Sequence, residues 1–291
     1  MEAYHEPVLL TEALDLLEIE EDEIVVDCTI GEGGHSIEFA KRIGKEGFLI
    51  GIDLDEFALD RAQKRLADVG VAFKLFHGNF KDIGIFLRSI DINYVDKIFL
   101  DLGMSSFQLS GAERGFSFKV DGPLDMRMDR DSALTAAMVL NTFKEEEISW
   151  ILWIFGEERF SKRIAREIVK RRKIKPIETT HELANIVLSV YPASRSRIHP
   201  ATKTFQALRI FVNSELDNLK TFLEVSPAIL KIGGRIAIIS YHSLEDKIVK
   251  NAFKNSKMLK IISKKVVTPS RSEISINKRA RSARMRIAER I

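Results

Sequence analysis

The chain has 291 residues, of which 45% are hydrophobic and 30% charged, a balance typical of a globular protein with at least one sizeable core. Its formal net charge of +3 is small, so a role with nucleic acid would depend on where the basic residues lie. The single cysteine, Cys28, excludes an internal disulfide, and the scattered histidines lack metal-ligand spacing. With no signal-peptide region and no apolar run near ~18 residues, we expect a cytoplasmic protein without a membrane span or a metal site.

The first predicted unit is a strand over 24–28, a turn, a helix over 35–43 and a strand over 48–52. The second strand ends in Asp53, and the turn holds Gly31, Gly33 and Gly34. Such a unit presents backbone groups and a carboxylate to a ligand at the carboxyl ends of its strands.

Three kinds of nucleotide site compete for this turn. Ser36 stands where the dinucleotide fingerprint has its last glycine, which weakens a nicotinamide or flavin site without excluding it. No lysine occurs before Lys41, so a phosphate-binding Walker loop is excluded. What remains, Asp27-x-x-x-Gly31-x-Gly33-Gly34, resembles the first motif of Rossmann-like S-adenosylmethionine methyltransferases. Asp53 lies where an acid accepts the ribose hydroxyls of an adenosine.

The alternation continues after Asp53. Helices are predicted over 57–69 and 83–90, and strands over 71–76 and 95–100, which indicates a parallel sheet covered on both faces. Ligands of such sheets bind beyond the carboxyl ends of the strands, and Phe80 and Asp101 join the glycine turn and Asp53 there.

From Gly115 to about Ile210 the strand–helix alternation is lost, and we predict an inserted all-helical domain. The methyltransferase domain is then expected in two parts, 1–114 and 211–291, on either side of an insertion at 115–210. Within and after the insertion the spacing predicts helices over 145–156, 160–173 and 180–191, one long helix whose buried stripe runs from Phe205 to Leu223, a helix over 244–253, and strands over 235–240, 259–267 and 283–288.

Asp101 is the candidate catalytic residue. An exocyclic base amine is a poor nucleophile because its lone pair is delocalised into the ring, and a carboxylate that accepts its hydrogens increases electron density on the nitrogen. Asp101 could instead hold the methionine end of the cofactor, and the sequence favours this second role over contact with the amine. Gln108 follows in a polar loop, and His35 begins the first helix, where the helix N-terminus favours an anion. Candidates for stacking on a flipped base are Phe107, Phe116, Phe118 and Tyr241.

Two basic stretches, 162–175 and 278–290, stand out on a nearly neutral chain. A single charge run is usually a solvated face, but two of them beside a glycine turn favour binding to a phosphate backbone. The candidate RNA-binding residues are Arg171, Arg172, Arg279 and Arg281.

Along its whole length the chain resembles the RsmH (MraW) family of small-subunit ribosomal RNA methyltransferases. The motifs that carry the resemblance are Tyr4–Leu9 (YHEPVL), Gly31–Ser36 (GEGGHS), Asp101–Leu109 (DLGMSSFQL), Arg114–Phe118 (RGFSF), Asp121–Met128 (DGPLDMRM), His199–Arg209 (HPATKTFQALR), Tyr241–Asp246 (YHSLED) and Arg279–Ala283 (RARSA). Met104 and Phe107 replace the family's usual valine and proline.

The resemblance implies a Rossmann-like α/β fold with a mostly parallel seven-stranded sheet and an inserted all-α domain. It also implies methylation, by S-adenosylmethionine, of the exocyclic N4 amine of a cytosine in the decoding region of 16S ribosomal RNA. The implied cofactor contacts are Gly33, Gly34, His35, Asp53, Phe80, Asp101 and Gln108. Two alternatives stay open at this stage: a nicotinamide-dependent oxidoreductase on the same fold, and a non-catalytic RNA-binding protein.

Overall fold

The computed structural model describes residues 7–104, 112–192, 199–263 and 265–291. The chain divides into two compact units, one formed by Met1–Gly103 with Leu216–Ile291 and the other by Met104–Glu215. The sequence placed the helical insertion at 115–210, shorter at both ends than the second unit.

The strands are β1 Ile24–Asp27, β2 Phe48–Asp53, β3 Ala72–His77, β4 Val95–Asp101, β5 Leu230–Ser240, β6 Leu259–Ile261 and β7 Arg284–Arg290. The helices are α1 Leu10–Leu17, α2 Gly34–Ile43, α3 Glu56–Ala67, α4 Ile83–Arg88, α5 Ala136–Thr142, α6 Glu145–Gly156, α7 Ser161–Arg172, α8 Thr180–Val190, α9 Ala201–Val212, α10 Glu215–Ile229, α11 Ser243–Asn255 and α12 Arg271–Ile276. Short 3₁₀ helices cover Phe80–Asp82, Ala112–Arg114 and Lys278–Ser282.

All seven strands form one sheet in the order β3-β2-β1-β4-β5-β7-β6. The first five pair in parallel, whereas β7 runs antiparallel to both β5 and β6. This confirms the predicted mostly parallel seven-stranded α/β fold. The register pairs Asp27 with Gly51 and Asp53 with His77, so the ends of β1, β2 and β3 share one edge of the sheet.

Both faces of this sheet are buried, which explains why its strands are continuous apolar runs. Alternate residues of a strand enter opposite clusters, because side chains alternate across the pleat. Val25 and Leu49 pack in one cluster, and Val26 and Ile50 pack in the other.

In its described part the second unit contains helices α5 to α9 around a separate apolar core. The predicted helices over 145–156, 160–173 and 180–191 are confirmed as α6, α7 and α8. Thr179 caps α8, with its side chain accepting from the backbone N–H of Glu182, as a capping box requires. No helix among the described residues of either unit has the length and apolarity needed to cross a bilayer.

The single long helix predicted through 205–223 is wrong. It is two helices, α9 and α10, because Ser214 adopts a left-handed φ of 50° between them. The side chain of Asn213 donates to the carbonyl of Arg209 at 2.8 Å, which satisfies a backbone group at the end of α9, and it accepts from the N–H of Met128 at 2.7 Å. The apolar stripe continues across the break, so periodicity alone did not show it. Helices α1, α5 and α12 were also not predicted.

Candidate cofactor and catalytic site

The turn after β1 leads directly into the N-terminus of α2. Gly33 is the residue before this helix and has a φ of 81°, a left-handed conformation that glycine adopts without steric cost. Its N–H donates to the carbonyl of Ile30 at 2.8 Å, which closes the turn. The turn therefore brings the backbone N–H groups of the first turn of α2, at the positive end of the helix dipole, to the edge of the sheet.

Asp53, at the end of β2, binds the glycine turn. Its Oδ2 accepts from the N–H of Gly31 at 2.8 Å, and its Oδ1 accepts from the N–H of Asp55 at 2.9 Å. Burial raises the pKa of Asp53 to about 6, although both hydrogen bonds oppose the rise. Since a carboxylate offers about four lone-pair sites, Asp53 can still accept from a ligand hydroxyl beside these backbone donors.

Asp27 is a buried acid at the end of β1 that the sequence marked as part of the glycine motif but not as a site residue. It is 1% exposed, and its Oδ2 accepts from the hydroxyl of Ser36 at 2.7 Å. Burial, with smaller contributions from the neighbouring carboxylates of Asp101 and Asp53, raises the pKa of Asp27 to about 7. The bond to Ser36 connects β1 with the first turn of α2, so Asp27 holds the glycine turn in place.

Asp101 lies at the end of β4, and three groups among the described residues bind it. Its N–H donates to the hydroxyl of Thr29 at 2.7 Å, and its Oδ1 accepts from the N–H of Gly103 at 2.9 Å. Tyr241, which follows β5, donates its hydroxyl to Oδ2 of Asp101 at 3.3 Å. Burial and the Asp101 charge hold the pKa of Tyr241 well above its usual value, so the phenol stays protonated and remains a donor.

Tyr241 was one of four candidates for stacking on a flipped base. Its hydroxyl binds the candidate catalytic carboxylate instead, a role that the sequence analysis did not assign to it. The sequence carried a partial signal. Tyr241 directly follows the predicted strand over 235–240, and a Tyr side chain with one polar end usually finds a hydrogen-bond partner when it is buried.

The side chain of His35 points into the protein core. Its Nε2 lies 2.9 Å from the carbonyl of Val8, and its ring lies 4.5 Å from that of Phe99. Burial lowers the pKa of His35 to about 4, so the ring is neutral and its N–H donates to the carbonyl. If His35 contacts the cofactor, the contact must therefore use its backbone N–H, in the first turn of α2, and not its ring.

Phe80 begins the 3₁₀ helix after β3, which is where the sequence placed it. It is partly buried, and its ring meets that of Phe222 edge-on at 5.6 Å. One side of the ring is therefore fixed by the core. Gln108 lies outside the described residues.

The predicted RNA-binding arginines differ in what they contact. Arg171 is half-exposed and pairs with Glu167 at 2.7 Å, whereas Arg172 donates to the carbonyl of Leu140 at 2.6 Å and so ties α7 to α5. Acids from neighbouring segments also oppose the first basic stretch: Glu145 faces Arg166 and Glu182 faces Lys175.

In the second basic stretch, Arg281 is exposed, and burial lowers the pKa of the half-buried Arg279. Arg286 is bound to Asp246 through two hydrogen bonds of 2.7 and 3.1 Å. Arg290 donates to the carbonyls of Ala228 and Leu230. The arginines Arg286 and Arg290 of β7 therefore form hydrogen bonds within the first unit.

The sheet edge gathers Asp27, Asp53 and Asp101 beside the N-terminus of α2. Mutual repulsion contributes to the raised pKa of Asp27, so a positively charged group bound at this edge would relieve it. A ligand with a cationic centre, ribose hydroxyls and a carboxylate suits the acids and the helix N-terminus together. These residues fit S-adenosylmethionine by charge and by hydrogen-bonding capacity.

Comparisons with known proteins agree with this fit. The sequence profile of the MraW methylase family matches residues 2–291. Over 292 residues the chain is 48% identical to a protein of Dictyoglomus thermophilum named ribosomal RNA small subunit methyltransferase H, covering 100% of this chain and 98% of that protein. A protein of the same name from Persephonella marina is 49% identical, with 99% of each chain covered. A solved Clostridium thermocellum structure assigned as an rRNA methylase shares the fold, with a TM-score of 0.51, 13% identity and coverage of 99% of this chain and 100% of that one.

Proposed function

Since this chain belongs to the MraW methylase family, we propose that it methylates the exocyclic N4 amine of a cytosine in the decoding region of small-subunit (16S) ribosomal RNA. The methyl donor is S-adenosylmethionine. Support for the RNA comes from the relatives at 48% and 49% identity, both named for the small subunit. Its substrate places the enzyme in the cytoplasm, where it acts on the RNA or on the small ribosomal subunit.

The observation that carries the proposal within the structure is the set of carboxylates at the edge of the sheet. Asp53 would accept from the ribose hydroxyls, because its carboxylate lies at the edge of the sheet and offers about four lone-pair sites. Phe80 would cover the adenine, and the Gly33-Gly34 backbone with the N–H of His35 would bind the methionine carboxylate. When bound, the cofactor supplies an electrophilic methyl group on a sulfonium.

Asp101 would act on the target. Its carboxylate would accept a hydrogen bond from the N4 amine, which would increase electron density on the nitrogen as the new N–C bond forms and the S–C bond of the sulfonium breaks. The methylated nitrogen would then lose that proton to Asp101 or to water. Tyr241 and Gly103 hold both carboxylate oxygens in place. The rest of the rate enhancement comes from positioning and from exclusion of water. The target base must be unstacked to reach Asp101.

Asp101 has a second proposed role, in which it binds the amino group of the methionine end. The two roles differ in their effect. Loss of a contact with the cofactor raises the Kd for S-adenosylmethionine, whereas loss of a contact with the amine lowers kcat at saturating cofactor.

The deciding experiment maps a labelled methyl group on small-subunit RNA incubated with the protein and S-adenosylmethionine. We expect one N4-methylated cytosine in the decoding region, absent when Asp101→Ala replaces the natural protein. Label on another base, or on no base, would contradict the proposed target. Calorimetric titration with S-adenosylmethionine and with NAD separates the enzyme from the two alternatives, because an oxidoreductase would bind NAD and a non-catalytic RNA-binding protein would bind neither.

A further inference from the structure

The outer face of α6 borders an open cavity in the second unit. The cavity has a volume of about 510 Å³ and is lined by Phe143, Glu146, Glu147, Trp150, Ile151 and Phe211. We call it the aromatic cavity. Nothing in the proposed methyl transfer uses it.

Three aromatic rings form its walls. The rings of Phe143 and Phe211 meet edge-on at 5.8 Å, and Trp150 meets Phe155 edge-on at 5.5 Å. Trp150 is 52% exposed although it is the largest apolar side chain in the cavity. Half-exposed tryptophan beside a pocket is typical of a binding hot spot.

Trp153 and Ile154 follow one turn further along α6 and are also exposed. Residues three and four positions apart share a helix face, so these side chains extend the apolar wall beyond the cavity. The apolar surface therefore continues past the cavity along α6, a shape that suits a polypeptide segment better than a single small molecule.

Two carboxylates, those of Glu146 and Glu147, make this surface negatively charged. Glu146 is exposed at the cavity, and Glu147 accepts from the N–H of Lys144 at 2.7 Å, which fixes its side chain at the start of α6. Acids beside aromatic faces attract cations, because the ring faces carry negative electrostatic potential as well. The same charges repel a phosphate backbone, so RNA is disfavoured as the occupant.

We propose that the aromatic cavity binds a lysine or arginine side chain presented by a basic segment of another protein, with Trp153 and Ile154 contacting the apolar residues that flank it. Trp150 stacks on the cation and Glu146 neutralises it. The inference does not depend on the proposed methyl transfer, since all its residues lie on α5 to α9 and the segments between them.

The chain itself provides the probe. It contains two tryptophans, Trp150 and Trp153, both on this face, so its tryptophan fluorescence reports from this surface alone. The full-length protein is titrated with a peptide in which leucines flank the arginines, with a version of that peptide in which glutamate replaces each arginine, and with an RNA oligonucleotide. We expect a saturable fluorescence change with the arginine peptide and none with the glutamate peptide or the RNA.

Single substitutions locate the site. Trp153→Phe leaves Trp150 as the only reporter and should keep the change, whereas Trp150→Leu should weaken peptide binding about 3- to 30-fold, the range of a cation–π contact. Glu146→Gln should weaken it several-fold more than Glu21→Gln, a matched substitution at an exposed glutamate of the first unit. Peptide affinity measured by calorimetry provides a second readout that does not depend on the fluorophore.

Two results would overturn the proposal. One is the absence of saturable binding by the arginine peptide, or binding that Trp150→Leu and Glu146→Gln leave unchanged. The other is a dimer of the natural protein, seen by sedimentation, that Trp150→Leu dissociates, because a second copy would then cover the cavity. Methyl transfer by both variants should remain normal, which keeps this result separate from the test of the proposed function.

Discussion

Asp53 and Gly31 are joined by a hydrogen bond of 2.8 Å between the end of β2 and the turn after β1. The carboxylate that would receive the ribose therefore also holds the glycine turn, so this hydrogen bond joins the two parts of the candidate cofactor site. A single change at Asp53 affects both.

Asp53→Ala should weaken S-adenosylmethionine binding by about 10-fold or more, since a hydrogen bond to a charged group contributes about 1.5–3 kcal/mol. Calorimetry measures the Kd, and thermal unfolding shows whether the protein remains folded. Asp60→Ala, at an exposed acid of α3, serves as the control and should leave the Kd unchanged. An unaltered Kd in Asp53→Ala would show that Asp53 does not bind the ribose.

Gly33→Ala and Gly44→Ala form a matched pair around α2. Both glycines have a left-handed φ, of 81° and 69°, and an added methyl group meets ordinary contacts at the first and open space at the second. Gly33→Ala should cost about 1 kcal/mol of stability, and Gly44→Ala should cost more, about 1–3 kcal/mol, because the ψ of −169° at Gly44 lies in a region that L-residues rarely adopt. Only Gly33→Ala should also weaken S-adenosylmethionine binding. Equal Kd values for the two variants would show that the glycine turn does not contact the cofactor.

Tyr241→Phe removes the hydroxyl that donates to Asp101, and its effect should pass entirely through that carboxylate. We expect about a 10-fold loss in kcat/KM, the order expected for one hydrogen bond to a charged acceptor. In the double variant with Asp101→Asn the loss should be no larger than in Asp101→Asn alone. Additive losses would mean that Tyr241 acts elsewhere, and Tyr94→Phe, at an exposed tyrosine, controls for loss of a hydroxyl.

Asp27 should make the free energy of unfolding depend on pH. Its pKa is about 7 in the folded chain against 3.8 ordinarily, so the folded chain binds this proton more tightly. The contribution of Asp27 to stability therefore falls as pH rises from about 4 to about 7, by at most about 1.4 kcal/mol per pH unit, and is constant above that range.

Urea unfolding at several pH values compares the natural protein with Asp27→Asn, which cannot ionise. Relative to the natural protein, the variant should gain stability as the pH rises through this window. Asp60→Asn, at an exposed acid, should show no such trend. Parallel curves for the natural protein and Asp27→Asn would mean that Asp27 is ionised across the whole range.

Arg171 and Arg172 are adjacent but should behave differently. Arg171→Gln removes an exposed charge, so the slope of log K against log salt for a small-subunit RNA fragment should decrease by about 1. Arg172→Gln removes the bond to Leu140, so we expect lower thermal stability and an unchanged slope. Binding isotherms at several salt concentrations test both. An unaltered slope for Arg171→Gln would take Arg171 out of the RNA interface.

Much of the first unit could be predicted from the sequence because its signals are local. Continuous apolar runs mark the strands of a sheet buried on both faces, and the acids Asp53 and Asp101 stand directly at the ends of such runs. The motifs also indicated the family, which the full-length match confirms. The break between α9 and α10 was missed because an apolar stripe reports burial and does not report where the backbone turns.

The sequence by itself determined the α/β class, the glycine turn, the order of the acids along the chain and the family. Only the tertiary structure decided the partners of Tyr241 and His35, because these contacts join residues distant in sequence. Tyr241 lies 140 positions from Asp101, yet β5 follows β4 in the sheet, and this places its hydroxyl on the carboxylate. His35 was placed at the cofactor by its motif, but the packing around Val8 and Phe99 directs its ring into the core. Burial raises the pKa of Asp27, and burial depends on the whole fold around it.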